Sequence, residues 1–179
     1  MTALVSFYAR LARLCDDQAG WLLPTLARLI FAGVLLGYFW ASALTKFDGP
    51  FTPSIGAYGQ IFPRAFDAVG FDPDGLTVWH RLVALAGGYA EFALPALIVV
   101  GLFTRLAALG MVGFIFVQSL TDVYGHGVDA GGWFDRASDA LILDQRALWL
   151  LLLAVLISKG AGPISADRIL GVEPARLAA

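Results

Sequence analysis

The sequence has little charge and almost no sulfur chemistry. Only 15% of its 179 residues are Asp, Glu, Lys or Arg, against about 25% in an ordinary soluble domain. Cys15 is the one cysteine. No intramolecular disulfide and no CxxC exist, which sets aside thiol–disulfide exchange by this chain alone. His80 and His126 are the two histidines, and neither sits in an HxxxH or HxxE spacing. Loop aspartates are ordinarily solvated, so no metal is expected. A dinucleotide GxGxxG, a Walker loop, a GxSxG elbow, a haem CxxCH and iron–sulfur spacings are all missing. The net charge is -2 with no basic block, which argues against nucleic acid as a partner. No charged n-region leads directly into an apolar core and a small-residue cleavage site, so no cleaved signal peptide is expected.

What the chain has is apolar surface. Hydrophobic residues make up 59% of it, more than one soluble core of this length can bury. Long apolar runs cover about residues 21–44, 79–100 and 103–120, and a short one lies at 147–157. A spanning helix needs roughly 20 residues. The fourth run therefore borrows turns from "ALILDQR" before it or "SKGAG" after it, reaching about 142–159. Lipid demands that each segment pair its own backbone groups, so the spans are helices. "GLFTR" between the second and third is too short for anything but a tight antiparallel hairpin, with Gly101 as the natural stop.

The expected fold is an all-α membrane protein: a four-transmembrane-helix bundle with an N-terminal amphipathic interfacial helix. Leu4, Phe7, Tyr8, Leu11 and Leu14 recur at helical spacing with Arg10 and Arg13 between them. Residues 1–20 thus read as a helix lying in the membrane interface. Residues 21–171 are the membrane domain and 172–179 a C-terminal tail. Gly33, Gly37 and Ala41 form a small-residue stripe that reads as a packing surface. Two loops are long, 46–78 and 121–146.

Orientation rests on the basic residues. Arg10, Arg13, Arg105, Lys159, Arg168 and Arg176 lie on the side of both termini. Lys46, Arg64, Arg81, Arg136 and Arg146 are spread through the long loops among nine aspartates. The expectation is cytoplasmic termini, with both long loops outside.

Glu91 stands inside "GYAEFALPALIVV". It lies twelve residues after Trp79, about 18 Å below that boundary, where an ionised carboxylate costs at least ~2.5–3.5 kcal/mol. It must be paired, be protonated or face a polar cavity. Arg28, about 10 Å into the first span, is the expected partner. Pro95 removes the helical donor for the Glu91 carbonyl, so a carboxylate and a freed acceptor share one depth, bordering a polar pocket. Ala84, Gly87 and Gly88 on the same face leave room for close helix approach or for a flat ligand. The Arg28–Glu91 pair reads either as a packing device or as a ligand or proton site. Lys46, His80 and Arg81 read as interfacial anchors. Alternatively, with Asp122, His126 and further loop aspartates they line an outer polar pocket.

Taken together, three segments resemble the DoxX family of membrane proteins. "LARLIFAGVLLGYFWASALTKF" (26–47) resembles its first span, and "GGYAEFALPALIVVGLFTRLAAL" (87–109) its second span and turn. "KGAGPISADRIL" (159–170) resembles its C-terminal end. Arg28, Lys46, Glu91 and Arg105 match the family motif. The resemblance implies a four-helix bacterial inner-membrane protein tied to respiratory or sulfur redox complexes, bordering a quinone. An electron carrier would come from a partner. The competing readings are a non-enzymatic scaffold or stabilising subunit, as a homo-oligomer or within a larger complex, and a small transporter. The last is weaker, since no inverted repeat is evident.

The orientation has a direct check. Cysteines introduced at Gln60 or Ala130 in a chain lacking Cys15 should react with an impermeant maleimide from outside. Reaction only after permeabilisation would reverse the topology.

Overall fold

The computed structural model describes residues 2–172. Of the expected C-terminal tail, 173–179 lie outside the described residues, Arg176 among them. Helix α1 (Thr2–Phe31) passes through a π-helical turn (Ala32–Leu36) into α2 (Gly37–Leu44). A connecting segment follows: the hairpin strands β1 (Phe47–Gly49) and β2 (Thr52–Pro53), then the short helices α3 (Ile55–Ile61) and α4 (Pro63–Ala68). Helices α5 (Val78–Val100) and α6 (Thr104–Leu120) form the tight hairpin, and α6 runs on through a π-turn to Gly125. A second π-turn (Leu141–Arg146) leads into α7 (Ala147–Lys159), and α8 (Ala166–Ile169) is the last helix of the described residues.

Four helical stretches are long and apolar enough to cross a membrane: Ala3–Leu44, Val78–Val100, Thr104–Gly125 and Leu141–Lys159. The fourth borrows its turns from the "LILDQR" side, which carries Asp144 and Arg146 into the span. The expected separate helix at 1–20 is not a separate element. Helix α1 is unbroken from Thr2 to Phe31, with Pro24 buried inside it. Its 42-residue continuation to Leu44 measures about 63 Å, twice the roughly 30 Å hydrocarbon core. The amphipathic segment therefore extends the first span beyond its neighbours.

The core explains the π-turn. Ala27, Phe31, Leu35, Phe39 and Ala43 are buried at steps of four, the first four packing with Ile98, Met111, Ile115, Leu153 and Leu156. A step of four overshoots a full turn by about 40° in an α-helix. The wider turn at 32–36 takes up that drift and keeps one face toward the bundle. Gly33 and Gly37 meet nothing within 4 Å of a would-be Cβ. The small-residue stripe thus faces outward and packs on no other part of the described chain.

One end of the bundle is tied by backbone carbonyls and amides. Gly101 ends α5 at φ 75°, and its carbonyl accepts from the Asp167 amide at 2.8 Å. The Asp167 carboxylate, 3% exposed, accepts from the Phe103 and Thr104 amides at 2.7 and 2.9 Å. These are the otherwise orphaned donors at the start of α6. Arg105 donates to the Ile157 carbonyl and, at 3.0 Å, to the Ser158 carbonyl at the end of α7. Asp167→Ala should cost about 2 kcal/mol by leaving two buried amides unpaired, and Asp167→Asn less. Unfolding of the purified chain in detergent measures this, and an unchanged midpoint for Asp167→Ala would contradict the capping role.

Candidate functional site

The other end of the bundle holds a buried ion pair. Lys46 Nζ lies 2.9 Å from Glu91 Oε2 and 2.8 Å from Ser42 Oγ. Ser42 Oγ in turn donates to Glu91 Oε1 at 3.3 Å. Lys46 is 5% exposed and Glu91 2%. The sequence brings them together through Gly88. A Cβ there would meet the Phe47 ring at 2.6 Å and Lys46 Cβ at 3.4 Å, so only glycine lets the end of the first span close on α5. Phe47 then packs on Tyr89 and Phe92, with ring centroids 4.9 and 6.2 Å away. The Tyr89 hydroxyl donates to the Pro50 carbonyl and Arg81 Nη2 to the Phe51 carbonyl at 3.0 Å, which pins the hairpin to α5.

The expected Arg28–Glu91 pair is replaced by Lys46–Glu91. Arg28 donates to carbonyls at the far end of the bundle: Ile98 and Ala161 at 3.0 Å each, and Val99 and Ile164. The cause is helix register. The first span and α5 run antiparallel, with residue 46 beside Gly88 and Arg28 beside Gly101. Glu91 therefore comes level with Ser42. Lys46 is four residues from that level, about 6 Å, and Arg28 fourteen residues, about 21 Å. Four of the guanidinium's five donors are used on carbonyls at or beyond helix ends.

Lys46 and Glu91 form one wall of a cavity of about 580 Å³. The lining carries a second ion pair, Arg146 Nη2 to Asp122 Oδ2. Arg146 Nη1 also donates to Ser119 Oγ at 2.7 Å, and its guanidinium lies 6.0 Å from the centre of the Trp149 ring. Gln118 Nε2 donates to the Tyr38 hydroxyl at 3.2 Å. His126 Nε2, also in the lining, lies 3.0 Å from the Gln60 carbonyl. A carbonyl only accepts, so this nitrogen carries the proton. Elsewhere the lining is small and apolar. Ala86, Gly87 and Ala90 come from α5, Gly110 and Gly113 from α6. Ala86, Gly110, Gly113 and Val117 are exposed, so the cavity opens sideways between two spanning helices, toward lipid.

Of the sequence-derived outer pocket, Lys46, Asp122 and His126 share this cavity, and Glu91 joins them. His80 and Arg81 do not. His80 Nδ1 accepts from the Thr77 amide at 3.2 Å and closes the first turn of α5, with its ring edge-on to Phe62 at 4.7 Å. Arg81 lines a separate pocket with Asp74 and Tyr58. Pro95 is fully buried in the bundle and off the cavity wall; α5 continues through it, and Trp40 Nε1 donates to the neighbouring Phe92 carbonyl at 3.2 Å. Reading the sequence missed Ser42, Tyr38, Gln118 and Arg146. Tyr38, Ser42 and Lys46 recur every four residues, a polar stripe on an apolar span that was there to be found.

Removing one member of the buried pair leaves the other uncompensated. Lys46→Met or Glu91→Gln should each cost about 3–5 kcal/mol, and the double substitution much less than the sum. Arg28→Gln should not rescue Glu91→Gln. Unfolding in detergent measures all four, and a rescue by Arg28→Gln would restore the discarded pairing.

No curated protein and no solved structure matches the chain. The family profile described as DoxX matches residues 23–121. That match takes in Arg28, Lys46, Glu91 and Arg105, the whole second span, the first span from residue 23 and the third as far as residue 121. The likeness of "KGAGPISADRIL" lies beyond it. The match covers more than half of a chain with four membrane-spanning helices, so the protein is a multi-pass membrane protein that belongs to the DoxX family.

Proposed function

We propose that the chain is an inner-membrane subunit of a respiratory or sulfur redox complex, and that its cavity takes a quinone from the bilayer. The observation that carries this reading is the cavity's composition. It opens to lipid through alanine and glycine and ends at a buried carboxylate held by a lysine. A flat lipophile with polar ring substituents fits such a site. A water-soluble ligand would have no reason to enter between α5 and α6.

When bound, a quinone supplies two-electron, two-proton chemistry. The residues of this chain handle the proton. Glu91 would take it at its carboxylate, and the Lys46 ammonium beside it would hold the charge that remains when the proton leaves. Ser42, bonded to both, fixes the geometry of the two. His126 and the Asp122 carboxylate line the same cavity, which gives the proton an exit. The sequence has no haem-attachment or iron–sulfur spacing, so electrons come from a partner protein. The outward strip of Gly33, Gly37 and Ala41 suits a close-packed helix of that partner or of a second copy. In this reading the termini are cytoplasmic and the membrane is the bacterial inner one.

Gly113 provides the test, because it lines the cavity and its would-be Cβ meets nothing within 4 Å. An alkylated benzoquinone at about a hundred times its Kd should stabilise the wild-type chain by about 2.7 kcal/mol. Gly113→Phe should abolish that gain, and should strip native quinone from gently purified protein. Gly33→Phe, equally open but on the outward strip, should change neither. No quinone-dependent stabilisation of the wild type would end the proposal.

A further inference from the structure

The first span does not stop where the bundle stops. Gly162, just past α7, sits against Pro24, and a Cβ there would lie 3.2 Å from Pro24 Cγ. Counting about 20 residues of hydrocarbon back from Leu44 ends at the same level. From Pro24 helix α1 runs on unbroken to Thr2, about 33 Å at 1.5 Å per residue. The headgroup layer adds only about 5–7 Å on each face. Leu11, about 20 Å beyond Pro24, is therefore clear of the bilayer.

The apolar side of this extension faces away from its own bundle. At about 100° per residue, Leu4, Tyr8, Leu11, Leu22, Leu26 and Leu29 fall within about 40° of one line along the helix. All six are exposed, Leu4 and Tyr8 at 79% and 71%. Pro24, Ala27 and Phe31 are buried and fall within about 40° of the opposite line. Arg10, Arg13, Asp16 and Asp17 all stand about 120° or more from the apolar line. A helix folded over the end of its own bundle would turn its leucines inward. Here the charges are turned that way, and one apolar strip runs from water into lipid.

Lipid covers Leu26 and Leu29 but does not reach Leu4, Tyr8 and Leu11. A second copy covers all of them. Two copies inserted in one membrane share orientation and depth, so each strip meets its own equivalent about a two-fold axis along the membrane normal. The four charges then point away from the contact, and no like charges meet. Six side chains at ~100 Å² each remove about 600 Å² per copy and about 1,200 Å² in total, the size of a small stable interface. Phe7 and Leu14 flank the line and add to that area. Gly33 continues it, and its would-be Cβ meets nothing within 4 Å, which lets two backbones approach inside the membrane. Gln18 also lies on the line, and its side-chain carbonyl already accepts from Trp21 Nε1 at 2.5 Å.

We infer that the chain forms a parallel homodimer, with the outward line of α1 from Leu4 to Gly33 as its interface. The inference does not rest on the quinone reading.

Cys15 falls on the same line and is exposed, so the natural chain carries its own reporter. In membranes of low protein density, copper(II) phenanthroline should join Cys15 of two copies. Two thiols give up two electrons to copper and two protons to water, and a reducible dimer results. This step needs no variant. In a Cys15→Ser chain, Leu11→Cys and Leu22→Cys should restore the cross-link at least about tenfold faster than Arg13→Cys on the far side, because contact raises the local thiol concentration to the mM range. Equal rates on the two sides would reduce the cross-link to random collision and overturn the inference. So would the absence of a cross-link at all three strip positions. Quenching of a fluorophore on Cys15 by brominated lipid would then assign the strip to the bilayer surface. Cross-linking of Cys15 to a chain of different mass would assign it to another protein, and either result overturns the second copy.

Discussion

A carboxylate inside a membrane bundle has to be satisfied by the bundle, and the Lys46–Glu91 contact is where this protein does so. Much of this half of the bundle follows from that requirement. Gly88 is glycine so that Phe47 and Lys46 can approach α5. Ser42 sits one turn before Lys46 and bonds to both charges. The β1–β2 hairpin folds back to place Phe47 on Tyr89 and Phe92. Ser54 ties the segment down, accepting from the Ala57 amide at 3.0 Å and donating to the Thr45 carbonyl at 2.6 Å. A buried pair is weak support for stability by itself, because desolvation offsets most of the attraction. Its cost makes sense when the charges face something, and here they face a cavity.

The four residues that match the family motif divide between the two ends of the bundle. Arg28 and Arg105 serve carbonyls that helix ends leave open, together with the Asp167 carboxylate on the start of α6. Lys46 and Glu91 serve each other. One end is a knot of backbone satisfaction around the α5–α6 turn; the other is a charged wall around open space. A rigid knot and an open wall on the same helices let α5 and α6 part at one end, where alanine and glycine line the gap, and stay locked at the other.

The spans were legible because hydropathy summed over twenty residues overwhelms local detail. Even the borrowed turns of the fourth span could be read, since eleven apolar residues cannot cross a bilayer alone. The pairing of Glu91 was not legible. Arg28 and Lys46 are eighteen residues apart, five full helical turns, and so share the face that meets α5. Facing could not separate them. Only register does, and register is set by Gly88 meeting Phe47, a contact between sequence-distant residues. Arg146 was hidden for a different reason. It sat in a run read as loop, although the short fourth span already required that run to enter the membrane. The connecting segment 46–78 read as a long loop because its helices are six or seven residues long, too short for a periodic signal. They pack through Ala57, Tyr58 and Phe66 onto Ala84.

The central claim is that Lys46 and Glu91 touch each other at a site reached from lipid. A carbodiimide adds to a carboxylic acid as an O-acylisourea, and an amine in contact then attacks the acyl carbon to form an amide, with the urea as leaving group. At 2.9 Å, Lys46 is placed to do this. Treating membranes with a lipid-soluble carbodiimide and mapping peptides by mass spectrometry should reveal a Lys46–Glu91 cross-link, suppressed when an alkylated quinone is added first. A water-soluble carbodiimide should give little. Cross-linking only with the water-soluble reagent, or activation of Glu91 with Lys46 left free, would contradict the account.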